Sequence, residues 1–190
     1  ARHAVESGRE GVLEPRSPLE PRALKQVELA VRDDGAGLDD HTRARAVEPY
    51  LATVVLSGGV LRHAANEAQR AEFVPQIAGG EKIFALAHHE RGARYNLASV
   101  TTKATKDGDG YVIDGEKSLV LNGDAADWLI VSARVSGGAR DENGIGLFLV
   151  DARANGVSRR GYWNQDATRS AEISFSKVKV DAAHVLGEPG

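Results

Sequence analysis

The sequence predicts an α+β chain: an N-terminal helical segment followed by a small antiparallel β-barrel domain. Three observations carry this. Before residue 84, capping residues and apolar spacing are helical in kind. After it, apolar and polar residues alternate with the period of a strand. Asp-Gly and Gly-Gly pairs then cut residues 84–190 into about six or seven short segments. The expected division is an arm over 1–40, a partial helical domain over 41–83 and a β-barrel domain over 84–190.

Residues 1–22 carry Pro15, Pro18 and Pro21 among charges, which reads as a loose arm. "DDGAGLDD" at 33–40 reads as a loop. Apolar spacing from Thr42 to Val60 predicts helix, with Pro49 near a start or a kink. Asn66 and Gln69 form a capping box that opens the next helix. Pro75 is expected to end or bend it, and "AGGE" at 78–81 offers a glycine for a left-handed cap. In "SVTTKATK", Val100, Thr102 and Ala104 share one strand face and Thr101, Lys103 and Thr105 the other. Asp107–Gly110 suits a hairpin turn into "YVIDGEKSLVL". "DWLIVSARV" and "IGLFLVDA" are further strands. "AEISFSKVKV" is a last one, with a phase shift near Ser176.

The composition excludes several classes. A net charge of -3 gives no basic field for nucleic acid or anionic membrane. Without cysteine there is no disulfide, thiolate metal site or Cys nucleophile, and a cytoplasmic location is expected. No stretch is apolar and long enough for a membrane span. The absence of methionine, even at position 1, points to a fragment, a processed chain or an incomplete frame.

"FALAHHERGARYN", Phe84 to Asn96, holds the densest chemistry. His88 and His89 are neighbours, which on a strand point to opposite faces, so they do not chelate one ion together and no metal site is expected. Residue types leave a Ser/His/Asp triad open, but there is no G-x-S-x-G elbow, phosphate loop or G-x-G-x-x-G turn. Trp128, Tyr162 and Trp163 fit either a ligand-stacking role or the core.

Read in order, these segments resemble the acyl-CoA dehydrogenase family over about residues 42–190. "NEAQRAEFVPQIAGGE" is similar to the family's last N-terminal helix. "TTKATKDGDGYVIDGEKSLVLNGDAADWLIVSAR" is similar to its central β-domain, and "GIGLFLVDARANGV" and "AEISFSKVKVDAAHVLGEPG" to its remaining strands. Residues 1–40 match poorly. The wording "HERGARY" resembles a branch associated with pimeloyl-CoA-like, dicarboxylic substrates.

The resemblance implies FAD as cofactor and an acyl-CoA as substrate. The family removes an α-proton and passes the β-hydride to flavin, giving the trans-2-enoyl-CoA. His88 and His89 fall in its flavin loop, with His89 in place of the usual Thr. Leu119, Val120 and Leu121 fall on its Trp-x-Thr flavin segment, so an indole and a hydroxyl are replaced. Arg94 and Tyr95 fall where the family meets CoA, and Arg94 is either a phosphate or carboxylate contact or a solvated surface arginine. The family's base lies in a C-terminal helical bundle, which is expected to be absent from this chain. No catalytic residue is therefore assigned here, and the chain alone is expected to be inactive and to hold FAD weakly or not at all. Implied partners are an electron-transfer flavoprotein and a homo- or hetero-oligomer built through that bundle. The alternative is a non-catalytic member that keeps the β-domain as a structural or partner-binding subunit.

Overall fold

A computed structural model describes residues 50–190. The expected arm over 1–40, the Gly/Asp loop at 33–40 and the helix start between Thr42 and Pro49 lie outside the described residues. Tyr50–Ser57 is a π-helical segment that runs into α1, Gly58–Ala64. The helix α2, Glu67–Ala78, starts at the expected capping box. Asn66 Oδ1 accepts from the Gln69 amide at 2.9 Å and Gln69 Oε1 accepts from the Asn66 amide at 2.9 Å. Such a cap stabilises a helix by about 1 kcal/mol. Pro75 lies inside α2 rather than ending it. The stop comes at the glycines, with Gly80 at φ 66.

Eight strands follow: β1 Phe84–Ala87, β2 Lys103–Asp107, β3 Gly110–Leu121, β4 Trp128–Arg134, β5 Ile145–Asp151, β6 Val157–Trp163, β7 Arg169–Val180 and β8 Val185–Leu186. A single 3₁₀ turn, Ala182–His184, precedes β8. The strands form one sheet in the order β6-β7-β3-β2-β4-β5-β8, with β1 also paired to β4. This corrects the expected antiparallel barrel twice. Among the described residues the sheet is open, since β6 and β8 end the path without pairing to each other. It is also mixed, because β4 is parallel to both β1 and β2. The reason is topological. β3 runs against β2 through the two-residue hairpin at Gly108-Asp109, so a β4 that returns on the far side of β2 must be parallel to it. Alternation in a sequence reports faces, not directions.

Two apolar clusters hold the sheet. One gathers Ile113, Leu129, Val131, Phe148, Ile173 and Val178. The other packs Leu61, Phe73 and Ile77 of the helices on Phe84, Ile130 and Leu149. β4 feeds both, which is why it reads as a continuous apolar run. Trp128 packs edge-on to Phe73, with centroids 5.1 Å apart, and so belongs to the helix–sheet contact. No helix among the described residues is long and apolar enough to cross a membrane.

Both long strands carry irregularities that matter below. The expected phase shift near Ser176 is a bulge on β7, where Lys177 sits at φ 52 and its amide donates to Asp114 Oδ1 at 2.8 Å. Opposite it, Gly115 has φ 143, and a Cβ there would stand 2.6 Å from Thr102 Cα. Gly115→Ala should therefore destabilise the chain. Backbone strain alone costs about 1–3 kcal/mol, and the clash adds to it. A urea unfolding curve with an unchanged midpoint would contradict this account.

Candidate functional site

The site begins where β1 ends. Its parallel pairing with β4 delivers His88, His89 and Glu90 alongside the far half of β3. The Ser118 amide donates to the His89 carbonyl at 2.9 Å, and His89 Nδ1 hydrogen-bonds with Ser118 Oγ at 3.0 Å. Two contacts thus strap the loop to β3.

Glu90 locks the strap. Its Oε1 accepts from Lys117 Nζ at 2.7 Å and from the Thr102 amide at 3.0 Å. Its Oε2 accepts from the Thr101 amide at 2.7 Å and from the Thr101 hydroxyl. Lys117 Nζ also donates to Ser132 Oγ at 3.2 Å. The two charged side chains are 6% and 0% exposed. Burial alone would raise the Glu90 carboxyl, but the Lys117 ammonium and the two threonines outweigh it and hold the pKa at about 2. Burial pulls the Lys117 ammonium down, against the Glu90 carboxylate that holds it up.

Past Lys117 the β3–β7 ladder breaks, and pairing resumes at Val120. Leu119 stands in the gap at φ 53 and is half exposed. Val120 turns into the core, while Leu121 stays half-buried. Leu121, Ser170 and Tyr162 form one row across β3, β7 and β6. Glu172 lies two residues along the same face of β7. It receives Tyr162 Oη at 3.4 Å and Arg91 Nη2 at 3.4 Å. Burial, then the Glu172 carboxylate, raise the Tyr162 phenol above its usual range. The result is a shallow face with Leu119 and Leu121 as apolar floor and His89, Tyr162, Glu172 and Arg91 at its edges. Such a face suits a flat heteroaromatic ring whose polar edge meets backbone donors.

The structure therefore brings His89 together with the segment Leu119–Leu121. The His88 ring is half-buried next to them, with Nδ1 enclosed and without a hydrogen-bond partner among the described residues. Burial lowers its pKa against the Leu86 backbone, which holds it up, and the positive charges of His89 and Lys117 add to the lowering. Arg94, at φ 52, and the fully exposed Tyr95 lie on the turn after Glu90. Among the described residues, no group of three or more His, Asp or Glu is placed to hold a metal ion. Trp163 is exposed, with the Arg169 guanidinium 4.5 Å above its ring centroid. Ser118, Glu172 and Arg91 escape sequence reasoning, because they meet only through the loop after β1 and the pairing of β3, β7 and β6. The three consecutive apolar residues Leu119, Val120 and Leu121, which break strand alternation, are a local signal of the bulge.

Comparison with known proteins bears on the family and the fold. Residues 85–178 match the acyl-CoA dehydrogenase middle domain. The chain is 31% identical over 184 residues to the mitochondrial long-chain specific acyl-CoA dehydrogenase of Sus scrofa, covering 88% of this chain and 42% of the relative. It is similar in structure to butyryl-CoA dehydrogenase from Megasphaera elsdenii, with a TM-score of 0.69 at 28% identity over 79% of this chain and 41% of that one. It is also similar to a chain of the ChsE4-ChsE5 complex from Mycobacterium tuberculosis, with a TM-score of 0.66 at 27% identity over 74% of this chain and 36% of that one. The chain spans about two fifths of the length of the curated relatives it matches.

Two outcomes test the lock. Glu90→Gln should cost about 3–5 kcal/mol, as expected when one partner of a buried ion pair is removed. The pH dependence has a definite sign. The folded Glu90 pKa, about 2, lies below its ordinary 4.5, so its contribution is complete above 4.5 and is lost as pH falls toward 2. Acid unfolding of the Gln variant should be flatter across that window than that of the parent chain.

Proposed function

Because the chain belongs to the acyl-CoA dehydrogenase family and carries its middle domain, we propose that the bulge face on β3 is the flavin-facing wall of an enzyme that desaturates an acyl-CoA. The reaction is loss of an α-proton and a β-hydride from the thioester, giving the trans-2-enoyl-CoA. FAD, the family's cofactor, accepts the hydride when bound. The observation that carries the reading is the strap of His89 to Ser118 beside the interrupted ladder at Leu119.

In this reading His89 and His88 set the polar edge of the flavin site, with the imidazole of His89 standing in for a hydroxyl. Leu119 and Leu121 supply apolar contact in place of an indole and a threonine, and Val120 anchors the segment in the core. The enclosed, unpartnered Nδ1 of His88 is a polar atom that suits a ligand edge. Glu90 is not the base. Its oxygens are already engaged by Lys117, Thr101 and Thr102, and its low pKa makes it a poor proton acceptor. The reading therefore assigns no catalytic base to the described residues. Arg94 and Tyr95, exposed on their turn, form the substrate side, where Arg94 meets a phosphate or a terminal carboxylate of a dicarboxylic acyl chain. An electron-transfer flavoprotein is the acceptor, a further subunit completes the site, and the assembly works in the cytoplasm.

Visible absorption during an FAD titration is the test. Weak, saturable binding with a shifted flavin band is expected, and His89→Ala should weaken it several-fold. An unshifted band at millimolar FAD would overturn the flavin wall. No acyl-CoA turnover by this chain alone is expected with an electron-accepting dye. Turnover would overturn the assignment of no base.

A further inference from the structure

Strand β6 carries two adjacent arginines with different fates. The Arg159 guanidinium reaches the turn after β3, where its Nη1 donates to the carbonyls of Gly123, Asp124 and Ala126 at 3.1, 3.2 and 2.8 Å. The fold uses that charge. Arg160, next in the strand, lies on the opposite face, the one that carries Tyr162 two residues on. It is exposed, and among the described residues no hydrogen bond or ion pair takes its guanidinium. A carboxylate is nevertheless close. Arg160 stands directly opposite Glu172 in the β6–β7 register, where facing side chains start about 5 Å apart. Glu172 is already engaged on both oxygens, Oε1 by the Tyr162 hydroxyl and Oε2 by Arg91 Nη2, each at 3.4 Å. The Arg91 side chain is itself 82% exposed and makes this contact through one nitrogen. Two guanidiniums thus flank one carboxylate, and the spot is net positive. Glu116, on the same face, stands across β7 from Ser158, one row further from the bulge.

We propose that Arg160, with the remaining donors of Arg91, is an anion subsite that takes the diphosphate of FAD. The inference rests on the flavin reading above. A ring on Leu119 and Leu121 occupies the row of Leu121, Ser170 and Tyr162. Arg160 and Glu172 form the next row, about 7 Å along the strands. The ribityl arm of the cofactor and the long arginine side chain together bridge that step. A guanidinium suits the group, because its planar fork meets two phosphate oxygens at once. Glu172 orients one cation and leaves the other unspent, so the subsite keeps its sign. Position separates this phosphate from that of the substrate, since Arg94 sits on the turn after Glu90 and not on the sheet face.

Riboflavin, FMN and FAD separate the parts of the ligand. The first has no phosphate, the second has a phosphate without the adenine, and the third has the diphosphate. Each is titrated by visible absorption and fluorescence into the full chain and into its Arg160→Gln and Arg160→Lys variants. Arg160→Gln should weaken FMN and FAD by about three- to fivefold, as for one solvent-exposed charge pair, and leave riboflavin unchanged. Arg160→Lys keeps the charge and loses the fork, so its affinities should fall between. Inorganic pyrophosphate should compete with FAD for the parent chain, and more weakly for the Gln variant. Equal losses for all three flavins would mean that Arg160 shapes the face, which overturns the subsite and leaves the flavin wall standing. Unchanged binding of all three does the same, and is what a charge that merely guards the sheet edge gives. A loss for FAD alone would move the contact to the adenine and overturn the phosphate assignment. Coenzyme A that loses affinity in the Gln variant while FMN and FAD do not would give the anion site to the substrate, against its assignment to FAD. No saturable binding of any flavin by the parent would overturn the flavin wall and the subsite with it.

Discussion

The buried pair of Glu90 and Lys117 is the constraint on which the rest of this arrangement depends. Two charges out of water are costly, and they are tolerated only when every oxygen and proton is met. Here that condition recruits four separate pieces of chain. Glu90 comes from the loop after β1, Thr101 and Thr102 from the approach to β2, Lys117 from β3 and Ser132 from β4. Satisfying one carboxylate thus fixes the mutual positions of the loop and the strands around it. Without it, the loop would lose a tie to β3 that reinforces the two hydrogen bonds between His89 and Ser118.

Arg134 does comparable work with neutral partners. Its buried guanidinium donates to the carbonyls of Ala98, Asp141 and Asn143 at 2.8, 3.0 and 2.7 Å. It therefore pins the end of the exposed turn that carries Arg94 and Tyr95 to the loop between β4 and β5. Arg134 acts through backbone carbonyls, and Glu90 also takes the amides of Thr101 and Thr102. Anchors that hold main chain leave the side chains at the bulge free to vary. The positive φ of Leu119 and the interrupted ladder belong to the main chain, so leucines occupy a place where the resemblance leads one to expect an indole and a hydroxyl.

Features set by neighbours in sequence were legible. The capping box at Asn66, the hairpin at Asp107–Gly110, the inward row of Val100, Thr102 and Ala104 and the shift near Ser176 all arise within a few residues. Features set by distant partners were not. Strand direction left no mark, so the parallel pairs of β4 and the open edges were missed. Lys117 reads as an outward lysine in a strand, and only its partner 27 residues away makes it a core residue. Tyr162 could be placed among the aromatics, but its contact with Glu172 requires the pairing of β6 with β7 to be seen.

The parallel insertion of β1 beside β4 has a consequence for the order of events in folding. The hairpin of β2 and β3 closes a two-residue loop and can form early. The contact that seats β1 joins Ile83 to Asp127 across 44 residues, and it must wait until β4 has found its place. The loop bearing His88, His89 and Glu90 hangs from that late strand. Its assembly is thus a closing step of the pathway rather than a nucleus, and a local opening that releases β1 would erase the binding face while most of the sheet is still intact.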